Sequence, residues 1–164
     1  MVKTNYLIKV ADETFIATAL LHREHPERTE FTISEIVERA EKENLYGTLR
    51  PGVRVHATLH CVANRAPNPG RYRMLYATGE HTRRLSSASD DVHPDRSGKI
   101  WPEPEDVPEE YRGLIDWAKR RYAVDSPVRE RWLGNVLDLF GLGKDLWQGE
   151  DPDEYVRKLR EGWE

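Results

Sequence analysis

Seven arginines lie between residues 45 and 85, where the only acidic residue is Glu80, so this segment has a formal charge of +6. An arginine guanidinium presents a fork of N–H donors that matches phosphate oxygens and the guanine edge. A helix over residues 51–64 would bring several of these side chains to one face, and a hairpin over 72–85 would carry others. The predicted DNA-binding residues are Arg50, Arg54, Thr58, Arg65, Arg71, Arg73, Arg83 and Arg84.

The whole chain has a formal net charge of -4, and residues 101–164 have a charge of -6. A basic middle and an acidic end favour two surfaces with different partners. A second interpretation of the arginines is that they pair with glutamates of the helix that precedes them. Contact with RNA or with an acidic protein also stays open.

Two histidines, His56 and His60, are one helical turn apart, which is a spacing that metal ligands use. No second ligand pair stands at a recognisable distance, and the neighbouring Cys61 is typical of a small core residue. We therefore predict no metal and no cofactor. With one cysteine, the chain cannot form an internal disulfide, which favours a reducing compartment.

The segment after the predicted hairpin is rich in polar residues that could hold a metal or transfer protons in a nuclease. These residues are Asp90, Asp91, His93, Asp95, Arg96 and Lys99. Their spacing matches no hydrolase motif, and no paired nucleophile and base accompany them. The favoured interpretation is a connector over 89–107 that His93, Pro94 and Arg96 pin to the domain. No catalytic residue is predicted, and the protein is not expected to be an enzyme.

The predicted elements are helices over 11–22, 32–43 and 51–64, a short strand over 29–32, and a hairpin from strands 72–76 and 81–85. The second helix has a capping box, Thr32 with Glu35, and a hydrophobic staple, Phe31 with Ile36. This order resembles a winged helix-turn-helix domain, in which the third helix enters the major groove. The predicted fold is α+β and mostly helical: three helices, a β-hairpin wing and a C-terminal helical extension.

The last residues resemble the C-terminal tails of VapB-type antitoxins, which neutralise PIN-domain ribonuclease toxins. The matching residues are Gly143, Lys144, Leu146, Trp147, Asp151, Pro152, Asp153, Tyr155, Val156, Leu159, Arg160, Glu161, Gly162 and Trp163. The resemblance implies that Arg157 or Arg160 enters a carboxylate-lined metal site, where a cation competes for the carboxylates. It implies that Leu146, Trp147, Tyr155, Leu159 and Trp163 fill grooves on the toxin. Such antitoxins usually carry a ribbon-helix-helix or swapped-hairpin domain, from which the winged helix departs.

The predicted organisation is a winged domain over 1–88, the connector over 89–107, an amphipathic helix over 108–125 that packs on the domain or dimerises, and a helical tail over 126–164. No signal peptide or membrane-spanning segment is visible, so a cytoplasmic protein is expected. The predicted function is an antitoxin-like regulator that binds operator DNA and a PIN-domain toxin. The alternative is a stand-alone winged-helix module for DNA or protein, homodimeric through its C-terminal helices, with no toxin partner.

Overall fold

A computed structural model describes residues 7–124 of the chain. The predicted tail, with Leu146, Trp147, Tyr155, Arg157, Leu159, Arg160 and Trp163, lies outside the described residues. The described part is α+β, with four helices and a three-stranded antiparallel sheet. The predicted fold class is confirmed at this level.

The first helix, α1 (Val10–Glu24), is the centre of the fold, and residues 11–22 are buried on every side. Its apolar side chains, among them Phe15, Ile16 and Leu20, form the core with residues from the other helices and the sheet. Two carboxylates on α1 are also buried, and each is paired with a cation from another part of the chain. Asp12 lies 2.8 Å from Lys99, and Glu13 accepts a 2.9 Å hydrogen bond from Arg50. Pairing is what makes a buried charge tolerable.

The second helix, α2 (Ile33–Glu43), follows the short strand β1 (Phe31–Thr32). The hydroxyl of Thr32 accepts a hydrogen bond from the backbone N–H of Glu35, whose carboxylate accepts one from the N–H of Thr32. The predicted capping box is therefore confirmed. Phe31 and Ile36, the predicted staple, are both fully buried. The helix ends at Asn44, a left-handed residue with φ of 54°, a conformation that asparagine tolerates better than most residues.

The third helix, α3, begins as the α-helix Gly52–Val55 and continues as the π-helical turn His56–His60. The N–H of Cys61 donates to the carbonyl of His56, which closes the wider hydrogen-bonded ring. Such a turn advances each residue by a smaller angle than an α-helix does. Side chains after His56 are therefore rotated away from the positions that a regular helix predicts.

The sheet has the order β1-β3-β2, in which β2 is Leu75–Ala77 and β3 is Thr82–Leu85. Strand β3 lies in the middle and pairs antiparallel with both neighbours, with Arg83 opposite Phe31 on one side and Ala77 on the other. The second half of the described chain contains two 3₁₀ turns, Pro104–Asp106 and Glu109–Tyr111, and the helix α4 (Arg112–Val124). Leu114 and Ile115 of α4 are buried in the common core, because α4 packs against α1.

Candidate nucleic-acid interface

The C-terminal end of α3 is held by two buried arginines that have no carboxylate partner within residues 7–124. Arg83 donates to the carbonyls of Ala57 and Thr58, and Arg96 donates to those of Leu59 and His60. The last carbonyls of a helix have no partner within the helix, and they carry the negative end of its dipole. The two guanidiniums therefore neutralise this end of α3 and supply the missing donors.

Arg83 also fixes the hairpin to α3. Its second set of hydrogen bonds reaches the carbonyls of Gly79 and Glu80 in the turn between β2 and β3 and that of Thr82 at the start of β3. The residue is fully buried, and burial lowers the pKa of its guanidinium to about 10, so the group still carries its charge at neutral pH. One side chain thus sets the position of the hairpin relative to the helix before it.

The structure corrects the expectation that Arg83 belongs to an exposed basic surface. A fully buried guanidinium whose donors are taken by five carbonyls cannot reach a phosphate. The sequence contained a signal for this position. Residues two apart in a strand face the same side, so the apolar Leu85 places Arg83 on the core side of β3.

Three more of the predicted DNA-binding arginines are engaged inside the domain. Arg50 is paired with the buried Glu13, and its guanidinium lies 4.1 Å from the centre of the Tyr46 ring. Arg84 makes a bidentate ion pair with Asp90. Arg73 donates through Nε to the carbonyl of Gly98 at 2.8 Å. Pairing within the chain therefore accounts for part of the basic segment, although Glu13 comes from α1 rather than from α2.

Of the other four predicted residues, Arg54 and Arg71 are exposed, and Thr58 and Arg65 are half-buried. In residues 7–124, no carboxylate lies within 4.0 Å of these three guanidiniums. The hydroxyl of Thr58 donates to the carbonyl of Arg54 one turn earlier, so both lie on the same side of α3. Val55 beside them is 45% exposed, which sequence analysis did not single out. Arg65 follows the end of α3 and so is not a helical residue.

The turn of the hairpin does not extend the positive surface. Its exposed residues are Thr78, Gly79, Glu80 and His81, and the one formal charge among them is negative. The positive charge of the region thus lies on α3 and on the segment that joins α3 to β2. Any contact with a polyanion would have to be made there.

The histidine pair of α3 is used for local contacts. Nδ1 of His56 lies 2.9 Å from the carbonyl of Gly52, and Nδ1 of His60 accepts a hydrogen bond from the N–H of Gly70. The rings meet edge to face, with centres 4.9 Å apart. Within residues 7–124, no group of three metal-ligating side chains comes together. Cys61 is fully buried, and burial raises the pKa of its thiol.

The connector is anchored by the residue that the sequence indicated. Arg96 is buried and donates to five carbonyls, those of Leu59, His60, Arg65, Ala66 and Tyr72. The N–H of His93 donates to the carbonyl of Ala63. These contacts are those of a structural connector. Asp90 pairs with Arg84, and Lys99 pairs with Asp12 and Asp106, so these residues of the connector also serve its attachment.

Comparison of the chain with protein-family models, with curated proteins and with solved structures gave no match. Among the helices of residues 7–124, none combines the length and the hydropathy that crossing a bilayer requires.

Proposed function

We propose that this protein is a DNA-binding regulator, built from a winged helix-turn-helix domain and a C-terminal segment that binds and neutralises a PIN-type ribonuclease toxin. The observation that supports the first half is the order β1-β3-β2 with α2 and α3 between β1 and the hairpin. In a winged helix the strand before the helical pair joins the outer side of the hairpin in this manner. The third helix then lies in the major groove.

The accessible face of α3 suits this role. Arg54 can donate two hydrogen bonds to a guanine edge or to phosphate, and Thr58 lies one turn further along the same side. The exposed methyl groups of Val55 suit contact with the C5-methyl group of thymine. Arg65 and Arg71 would meet phosphates beside the groove. Arg83 contributes by fixing the hairpin to the end of α3, so that the binding surface needs little reorganisation.

The three arginines of this surface, Arg54, Arg65 and Arg71, should make a modest electrostatic contribution to DNA affinity. Each neutralised phosphate adds about -0.9 to the slope of log affinity against log salt, so the slope should be roughly -3. We would measure binding of the full chain to a fluorescent random-sequence duplex by anisotropy, at several salt concentrations. The double variant Arg54→Met, Arg71→Met should bind more weakly and reduce the slope by about 2.

Arg120→Met is the matched control, because Arg120 is an exposed arginine on α4, outside this surface. It should leave both the affinity and the slope unchanged. If the wild-type chain does not bind DNA at low salt, or if the double variant binds as the wild type does, the proposal of DNA binding fails.

The second half of the proposal rests on the sequence of residues 143–163. The basic side chains Arg157 and Arg160 would compete with the metal for the toxin's carboxylates, and Trp163 would bury its ring in a groove. The full chain with an N-terminal affinity handle should recover a PIN-domain protein from its native cytosol. Loss of that protein in the variant Arg160→Ala, Trp163→Ala would support the antitoxin role. Recovery of the chain alone, or as a homodimer that still forms in the variant Arg160→Ala, Trp163→Ala, would favour the stand-alone module.

A further inference from the structure

A cleft of about 340 Å³ lies beside the end of β3, near the C-terminal ends of α1 and α4. Its volume falls at the lower end of the range that small-molecule sites occupy. The lining residues are His22, Thr29, Arg84, Leu85, Ser86, Ser87, Ser89, Ala118, Arg121 and Tyr122. They comprise two guanidiniums, five hydroxyls, one of them the phenol of Tyr122, an imidazole and an apolar part, with no carboxylate.

One hydroxyl of the cleft has no hydrogen-bond partner. The side chain of Ser86 is more than nine-tenths buried, yet within residues 7–124 its Oγ makes no hydrogen bond. A buried polar atom without a partner is costly, typically by about 1–3 kcal/mol, and native structures contain few of them. A ligand that accepts a hydrogen bond from Ser86 would remove this cost.

The imidazole of His22 gives a second indication. Its Nε2 accepts a hydrogen bond from the backbone N–H of Leu85, so the proton of the neutral ring is on Nδ1. Burial, together with the charges of Arg121 and Arg84, lowers the pKa of His22 to about 4. Both cations are therefore close enough to act on one buried ring, and the ring itself stays neutral. Arg84 already has the carboxylate of Asp90, so within residues 7–124 the uncompensated charge beside this ring is that of Arg121.

The remaining polar groups are oriented by neighbours. Arg84 is held by Asp90 and lies over the ring of Tyr76, 4.4 Å from its centre, so it supplies a fixed and partly neutralised charge. Ser87 and Ser89 share one hydrogen bond of 2.8 Å between their hydroxyls. One of the two hydroxyls must donate that bond, which leaves the hydrogen of the other able to donate to a ligand. Arg121 is the cation of the cleft that has no carboxylate within 4.0 Å in residues 7–124.

We propose that this cleft binds a small molecule that carries an oxyanion headgroup, a phosphoryl or carboxylate group, on a small apolar body. Arg121 and the hydroxyl of Ser86 bind the headgroup, with a second hydroxyl from the Ser87–Ser89 pair. The side chains of Leu85, Ala118 and Tyr122 contact the apolar body. This site is separate from the surface proposed for DNA.

The test uses the full chain and three probes that share an aromatic body: phenyl phosphate, benzoate and benzyl alcohol. We expect calorimetric titration to detect binding of one or both anions, and to show binding of the neutral alcohol at least about tenfold weaker. The comparison of phenyl phosphate with benzoate distinguishes a phosphoryl from a carboxylate ligand. Absence of binding by both anions, or equal binding of benzyl alcohol, overturns the proposal.

Two variants test the contacts. Arg121→Met and Ser86→Ala should each weaken anion binding by about tenfold, which corresponds to about 1.4 kcal/mol. Arg120 is an exposed neighbour of Arg121, and the control variant Arg120→Met should bind the anions as the wild type does. Anion binding that persists unchanged in both cleft variants would refute the site.

The variant Arg54→Met, Arg71→Met separates this inference from the proposed function. Neither residue lines the cleft, so this variant should retain anion binding even where it loses DNA. Loss of anion binding in this variant would contradict the assignment of the ligand to the cleft.

Discussion

The two faces of β3 carry neighbouring arginines with opposite surroundings. Arg83 faces the core, is fully buried and is bound by five carbonyls. Arg84 faces the cleft, is partly exposed and is bound by the carboxylate of Asp90. The first is an internal part of the fold, and the second lines a surface that can meet a ligand.

This difference teaches that charge counted along a sequence is not charge on a surface. A guanidinium has five N–H donors, so it can satisfy several carbonyls at once, including the unpaired ones at the end of a helix. Carbonyl dipoles can replace a carboxylate partner for a buried cation when there are enough of them. Arg83 and Arg96 both use this solution, and neither can make a direct contact with a DNA phosphate.

The largest expected effect is on the core side of β3. Arg83→Met removes the donors of five carbonyls and the link between the hairpin and α3, so it should lower the free energy of unfolding by about 3 kcal/mol or more. Urea denaturation followed by tryptophan fluorescence would measure the change. Arg83→Lys keeps the charge without the fork and should recover only part of the loss. A loss below about 1 kcal/mol for Arg83→Met would break the comparison.

On the cleft side, His22 should make the free energy of unfolding depend on pH. The pKa of His22 is about 4 in the folded chain and 6.5 in its ordinary state, so the unfolded chain binds more protons between these values. The neutral ring of His22 makes its full contribution to the free energy of unfolding above pH 6.5. This contribution is lost as the pH falls towards 4, a change of about 3 kcal/mol. His22→Gln keeps an acceptor for the N–H of Leu85 but does not titrate. Equal slopes of unfolding free energy against pH for both chains would contradict this origin.

A smaller effect on the free energy of unfolding is expected at Arg84, whose partner is the carboxylate of Asp90. Arg84→Met and Asp90→Asn should each cost about 1 kcal/mol, because the pair is partly exposed. A double-mutant cycle in urea isolates their coupling, which should be of the same size. Were Arg84→Met to cost as much as Arg83→Met, the two faces of β3 would not differ as the structure indicates.

The smallest effect is expected at Ser86. Because its Oγ is buried without a partner, Ser86→Ala should leave the free energy of unfolding unchanged or raise it by up to about 1 kcal/mol. Thermal unfolding without any added anion would measure this. A clear loss of stability would mean that the hydroxyl has a structural partner, and the case for a ligand at the cleft would weaken with it.

The parts that the sequence predicted are those with local physical signals. The capping box of Thr32 and Glu35, the staple of Phe31 and Ile36, and the hairpin all depend on residues close in the chain. The π-helical turn at His56–His60 has no such local signal, and its carbonyls are bound by Arg83 and Arg96, which are distant in the sequence. The face predicted for α3 assumed a regular helix over 51–64, whereas the observed helix ends with a π-helical turn at His60.

Pairing between residues far apart in the sequence limited how much of the candidate sites could be predicted. The partners of Arg50 and Lys99 are Glu13 and Asp12 on α1, far away in the sequence, and no spacing rule indicates them. The cleft was not predicted for the same reason: its lining comes from α1, β3 and α4, and the unpaired Oγ of Ser86 is visible only when these elements are in place. Arg96 was indicated as an anchor by its position in a polar connector, although its five carbonyl partners were not.

Arg96 joins segments of the chain that are far apart in the sequence. By binding carbonyls at residues 59–60, 65–66 and 72, its one side chain closes loops that span 24 to 37 residues. A disulfide would join the same segments covalently and would also restrict the unfolded chain, which hydrogen bonds do not, but the single cysteine rules one out within the chain. The guanidinium forms a reversible crosslink that needs no oxidant and that thiol reductants leave intact. The described fold should therefore keep its melting temperature in dithiothreitol, as a protein held by carbonyl–arginine contacts would in a reducing environment.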